Sequence, residues 1–213
     1  MAELWLVLAL GTMLAYGIGQ VLQKVGTTGS SPATMVLITA LVCGSIWGAW
    51  YILLREDFDP TAYTFFIAVI GAALGIIGTI LFLEALSRAN VSLVGTIIAA
   101  YPCVTVVSAF LLLAERLTAV QYAGVGLIIL GVVALSMRQS GSGPSISRTA
   151  LILAIASFLA FGLMGVVMKE VVGLIGNDNA MGFNSLVYVV IGASYWAARR
   201  RGHPEQSFMK MPR

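Results

Sequence analysis

Seven long apolar runs separated by short polar breaks organise the 213-residue chain. They lie at about Leu4–Leu22, Ala33–Leu54, Tyr63–Leu86, Val91–Leu113, Leu117–Met137, Thr149–Val172 and Met181–Ala198. A bilayer core of roughly 30 Å needs about 20 mostly apolar residues per helix, so each run predicts one membrane-spanning helix. Strands are not in contention. Membrane barrels alternate apolar and polar residues in short segments, and none of these runs does.

The breaks carry turn chemistry. "GTTGSSP" (Gly26–Pro32) and "REDFDP" (Arg55–Pro60) close the first two runs, and "SRANVS" (Ser87–Ser92) and "AERLT" (Ala114–Thr118) read as tight turns. "QSGSGPSIS" (Gln139–Ser147) is the longest flexible stretch, and "IGNDNA" (Ile175–Ala180) precedes the last run. The first and sixth runs repeat a phrase, "LAYGIGQVLQK" at Leu14–Lys24 and "LAFGLMGVVMK" at Leu159–Lys169. Leu6, Leu8, Ala9, Leu14, Ala15, Gly17, Val21 and Lys24 recur unchanged in the second copy, and Tyr16 recurs as Phe161. Five helices per unit is an odd number, so the second copy enters the membrane from the opposite side. Inverted repeats of this kind are a mark of secondary transporters, whose substrate sites lie between the halves. The expected organisation is a five-helix repeat over 1–138, a Ser/Gly linker over 139–148, two helices of an inverted second repeat over 149–198, and a basic tail over 199–213. On this reading the second copy is truncated by three helices.

Composition agrees with lipid as the solvent. Hydrophobic residues make up 59% and charged residues 10% of the chain, with a mean hydropathy of +0.96. A soluble domain carries roughly 25% charged residues. The net charge of +3 resides at run ends rather than in a patch, which excludes a nucleic-acid footprint. Cys43 and Cys103 lie inside apolar runs and His203 is the one histidine, so neither a metal nor another cofactor is expected. The start of the chain has Glu3 in place of a basic region and no small-residue cleavage site, and reads as a membrane helix rather than a signal peptide.

Over Leu81–Leu135 the order of short motifs is more specific than any one of them. Ala85-Leu86 with Arg88 closes the third run, and Val91-Ser92-Leu93 opens the fourth. Tyr101-Pro102 stands in mid-run, Glu115-Arg116-Leu117 precedes the fifth, and that run is glycine-spaced (Gly124–Leu135). In this order and spacing the chain resembles the EamA-type members of the drug/metabolite transporter superfamily, across the first repeat and the first two helices of the second. The resemblance implies ten helices in two inverted halves that move small metabolites or drugs, often outward.

Several residues are candidates for the pathway. Glu84 lies one turn inside the third run, and a carboxylate at a helix centre costs about 2.5–3.5 kcal/mol on insertion scales. It reads equally as a protonatable group in the transport cavity and as an interfacial partner of Arg88, four residues on. Pro102 removes a backbone donor and frees the carbonyl of Ile98, which in lipid must find a partner or line a wet cavity. Tyr101 beside it offers a hydroxyl. A structural kink explains Pro102 as well, and the resemblance favours the pathway. Tyr16 and Gln20 are four apart on the first run, and Trp47 could form a cavity wall with Tyr16, whereas ordinary interhelical bonding explains Gln20 too. Trp50, near its run's end, reads as an interfacial anchor. Glu115 and Arg116 read as structural, fixing the hairpin between the fourth and fifth runs. Lys24 and Lys169 read as snorkelling groups, and Gly44-xxx-Gly48 and Gly71-xxx-Gly75 as close-packing faces.

Alternating loops put nine basic residues on one side (Lys24, Arg88, Arg138, Arg148, Arg199, Arg200, Arg201, Lys210, Arg213) and three on the other (Arg55, Arg116, Lys169). The positive-inside rule then places the N-terminus outside and the tail in the cytoplasm, whereas ten-helix relatives usually have both termini cytoplasmic, which would put Arg199, Arg200 and Arg201 outside. The leading expectation is an alternating-access secondary transporter, an exporter of the plasma (inner) membrane, with a small molecule as substrate and the lipid bilayer as surroundings; Glu84 is the candidate for proton coupling, and a facilitator and a proton exchanger read alike. The alternative is a half-transporter that works only as a homo- or heterodimer supplying the missing helices. An enzyme is not expected, since no intramembrane histidine or Ser–His pair appears. Nor is a retinal protein, since Met181–Ala198 contains no lysine.

Overall fold

The computed structural model describes residues 2–58, 61–113, 118–139 and 147–202. Within these residues every regular element is an α-helix: α1 (Ala2–Gly29), α2 (Pro32–Leu54), α3 (Ala62–Arg88), α4 (Val91–Ala99), α5 (Tyr101–Leu113), α6 (Ala119–Gln139) and α7 (Arg148–Gly202). Pro32–Leu54, Ala62–Arg88, Val91–Leu112 and Arg148–Arg201 are long and apolar enough to cross a membrane. The chain is therefore an integral membrane protein, all-helical among the described residues; the first and fifth apolar runs, in α1 and α6, are not among those four stretches.

Local chemistry sets the helix starts. Ser31 accepts from the Thr34 amide at 3.2 Å, with Pro32 in the first turn of α2. Thr61 accepts from the Thr64 amide at 3.1 Å at the start of α3. Ahead of α6, Thr118 and Gln121 form a reciprocal capping box, the Thr118 amide donating to Gln121 Oε1 at 2.8 Å and the Gln121 amide to Thr118 Oγ1 at 3.4 Å. Each bond satisfies an amide that helix geometry leaves orphaned.

Two interruptions separate the structure from the simple pattern. The fourth run is two helices, because Pro102 has no N–H to continue the ladder and the chain turns at Ala100 (φ −80°, ψ −2°). The sixth and seventh runs are two helical limbs that follow each other almost without a loop in the 55-residue stretch α7. Gly176 divides it, with φ 78° and ψ 162°, a region essentially open to glycine alone. The six-residue loop expected at Ile175–Ala180 is thus one residue, and the second limb begins at 177 rather than at Met181. Asn179 consolidates the break by donating from Nδ2 to the Ile175 carbonyl at 2.9 Å.

The limbs of α7 hold the core together. Gly71, Gly75 and Gly78 of α3 face Met168, Met164 and Phe161 in turn, so the first limb runs antiparallel to α3. The second limb runs parallel to α3, with Tyr188 beside Gly75 and Tyr195 beside Glu84. It is antiparallel to α2, where Gly44 faces Val189 and Gly48 faces Ser185. Lipid offers little hydrophobic drive between helices, so small residues and interhelical hydrogen bonds do the packing. A methyl placed on Gly75 would stand 2.7 Å from Tyr188 Oη and 2.9 Å from Met164 Sδ. Ser157 donates to the Gly78 carbonyl at 2.8 Å and Ser185 to the Gly44 carbonyl at 2.6 Å. Val36, Ala40, Ala72, Ile76, Leu83 and Ala154 are fully buried between these elements. On α1, Val7–Ile18 is exposed, an apolar face fit for lipid.

Candidate solute cavity

An open cavity of about 510 Å³ lies between α1, α4 and α6, within the range of about 300–1,000 Å³ usual for small-molecule sites. Gly17, Gln20 and Val21 supply the α1 wall, Ser92, Gly95, Thr96 and Ala99 the α4 wall, and Ile128 and Gly131 the α6 wall. Ser92 and Thr96 are one turn apart and share a helix face. Thr96 Oγ1 donates back to the Ser92 carbonyl. The Gln20 side chain lies over Gly95, where an added methyl would stand 2.5 Å from Gln20 Oε1. A larger residue there would have to push that amide aside. Ala99, the last residue of α4, brings the cavity up to the break at Ala100.

Of the sequence-derived candidates, Gln20 lines this cavity and the others lie elsewhere. Tyr16, on the same helix, is half exposed. Tyr101 packs against Phe161 of the first limb, with ring centroids 6.0 Å apart. Pro102 is the second residue of α5, just after the break. Trp47 stands edge-on to Tyr188 at 4.8 Å in the core. Glu115 and Arg116 lie outside the described residues.

Glu84 is at the far end of α3 in an ion cluster. Its Oε2 accepts from Arg88 at 2.8 Å and its Oε1 from Arg199 at 2.9 Å and from the Tyr195 hydroxyl. The carboxylate is 6% exposed, while the two arginine side chains remain nearly half exposed. Both of its oxygens are therefore engaged, by α3 itself and by the end of α7. Lys24 joins the same end of the bundle: its Nζ donates to the carbonyls of Leu86 and Ala89 at 2.6 and 2.9 Å. It caps the C-terminus of α3 rather than merely reaching for the interface.

Sequence reasoning missed Ser92, Thr96, Tyr195 and Arg199 as site or cluster residues. The i, i+4 spacing of Ser92 and Thr96 in an apolar helix was a usable signal. Nothing local linked Arg199 to a glutamate 115 positions away.

A bundle of apolar helices with an open cavity of this size on its side, lined by an amide and two hydroxyls, has the make-up of a polytopic membrane protein. Its family is now clear as well. The model of the EamA-like transporter family matches residues 3–137, more than half of the chain, and the chain belongs to that family. It is thus a membrane transporter of small solutes, from a family of transporters rather than enzymes. No curated protein matches it.

Proposed function

We propose that the chain exports a small metabolite or drug-like solute across the plasma (inner) membrane by alternating access, through the cavity between α1, α4 and α6. The observation that carries the reading is the wall of that cavity: Gln20, Ser92 and Thr96 among apolar side chains, beside an interrupted helix. Neutral donors and acceptors in an apolar surround suit an uncharged or amphiphilic solute. Broken helices are the usual place for transporter sites, because the freed backbone groups there face the solute. The cluster of Lys24, Arg88 and Arg199 favours the cytoplasm for its end of the bundle, by the positive-inside rule. Glu84 belongs to that cluster, and its occupied oxygens favour a fastening role over proton coupling.

The purified chain would be reconstituted in liposomes loaded with mixed amino acids, sugars, amines and nucleosides, and the retained contents followed by mass spectrometry. Selective loss of one class, slowed about tenfold by Gln20→Leu or Thr96→Val, supports the proposal. The alternative of a half-transporter draws support from the open side of the cavity. No loss from a folded chain, restored by co-reconstitution with a second membrane chain, would decide for it.

A further inference from the structure

The end of the bundle that carries Glu84 is basic. α3 and the second limb of α7 finish side by side there, and the first limb, antiparallel to α3, begins there with Arg148. Arg88, Arg148, Arg199, Arg200 and Arg201 are exposed, and Glu84 is the one carboxylate at this end among the described residues. Geometry adds more than the charge does. Arg88 and Arg199 each place Nη2 on a different oxygen of Glu84, at 2.8 and 2.9 Å. One carboxylate therefore holds two guanidinium groups from different helices a few ångströms apart, and the Tyr195 hydroxyl on Oε1 fixes that carboxylate in turn. The trio keeps one positive charge in excess. A guanidinium carries several N–H donors, and the Nε and Nη1 groups of both arginines meet no acceptor among the described residues. Neither side chain is buried, with 43% of Arg88 and 46% of Arg199 open.

The depth of the pair names the partner. Arg199 directly follows the apolar run that ends at Ala198, and Arg88 stands two residues past Leu86, where the third run ends. Arginine at such a boundary lies at the level of the lipid headgroups. Trp196, with the Arg200 guanidinium 5.0 Å from its ring centroid, marks the same level, since tryptophan collects at the membrane–water interface. We propose that Arg88 and Arg199 form a site for the phosphate of an anionic phospholipid, flanked by Arg200. The phosphate oxygens accept from the unspent N–H groups of both arginines, a pairing that guanidinium groups favour. The negative headgroup offsets the excess charge, and the acyl chains run along the apolar helices. Glu84 is the positioning residue: both of its oxygens are taken, and it keeps two like charges together for a single headgroup.

The test is native mass spectrometry of the full chain released from micelles that contain equal amounts of phosphatidylglycerol and phosphatidylcholine. Phosphatidylglycerol adducts should outnumber phosphatidylcholine adducts roughly tenfold. Arg88→Lys combined with Arg199→Lys keeps the charge but removes the planar forks, and should lower the ratio severalfold. Glu84→Gln makes this end more positive yet releases the arginines from each other, and the ratio should fall here too. Arg55→Gln, at the other end of the bundle, should leave it unchanged. Circular dichroism verifies that each variant folds. A ratio that rises in Glu84→Gln, or holds in the double lysine variant, would assign the attraction to the summed field of the basic residues and overturn the proposal. Equal adducts of the two lipids on the wild type would overturn it as well. So would glycerol 3-phosphate, added in excess, being carried in place of the lipid, which would assign the pair to a soluble anion. Binding is read without flux, so failure here leaves the transport reading intact, and failure of transport leaves this site standing.

Discussion

Replacing Glu84 by Gln tests whether the ion cluster fastens the end of α7 to α3. The carboxylate is almost fully buried, and its partners are two arginines and a tyrosine hydroxyl. Breaking a fully buried ion pair costs about 3–5 kcal/mol, whereas an exposed pair contributes about 0–1 kcal/mol. Here the anion is buried and both cations are half exposed, so they can rehydrate once the charge is gone. Glutamine also retains an acceptor for one of them. The expected loss is therefore about 2 kcal/mol, between the two limits. Arg199→Gln, which leaves Arg88 and Tyr195 on the carboxylate, should cost about half as much. The assay is reversible unfolding in mixed detergent micelles, followed by circular dichroism, for both single variants and the double variant. A coupling energy of at least about 0.5 kcal/mol between Glu84 and Arg199 is expected from groups in direct contact. A Glu84→Gln protein within about 0.3 kcal/mol of wild type, with no coupling, would refute the fastening role.

Three further outcomes follow from the backbone and the packing. Gly176→Ala should cost about 1–3 kcal/mol through backbone conformation alone, since a methyl there meets nothing within 4 Å; an unchanged unfolding midpoint would contradict the observed break. Pro102→Ala restores an amide to the ladder and should let α4 and α5 join, leaving stability equal or higher while slowing liposome efflux; unchanged efflux would detach the break from transport. Gly162→Leu should cost about 2–4 kcal/mol by overpacking, because even a Cβ would fall 2.3 Å from Val104 Cβ, and detergent-unfolding curves that overlay the wild type would count against this contact.

Apolar run length was enough to read an all-helical membrane protein, because lipid demands long apolar segments, but it did not fix how many of the runs cross the bilayer. What it hid was orientation. A helix apolar on every side gives no periodic signal of which face meets protein and which meets lipid, so nothing in the sequence marked Tyr188 as the partner of Trp47. Pro102 disclosed a break because its chemistry is local, and the structure turns one helical position before Tyr101. Gly176 was legible only as part of a loop, since nothing in "IGNDNA" separates one left-handed residue from six irregular ones. The Arg88 partner of Glu84 followed from i, i+4 spacing, but Tyr195 and Arg199 depend on how α7 folds back. Asn179 lay in a stretch that read as a loop and drew no attention, although it ties the Glu56 and Ile175 carbonyls together.

The placement of α3 between the limbs of α7 also sets an order of events during synthesis. Gly71, Gly75 and Gly78, and likewise Gly44 and Gly48, receive their partners from residues 161–189. When α3 leaves the ribosome those partners have not been translated, and it must wait in the membrane with its small-residue face against lipid. The hydrogen bonds from Ser157 and Ser185 close only afterwards, and Arg199, the second arginine on Glu84, arrives last of all. Helix insertion and core assembly are therefore separate steps for this chain. A nascent chain stalled before the second limb would be inserted yet lack part of its core, the kind of intermediate that membrane quality-control proteases recognise.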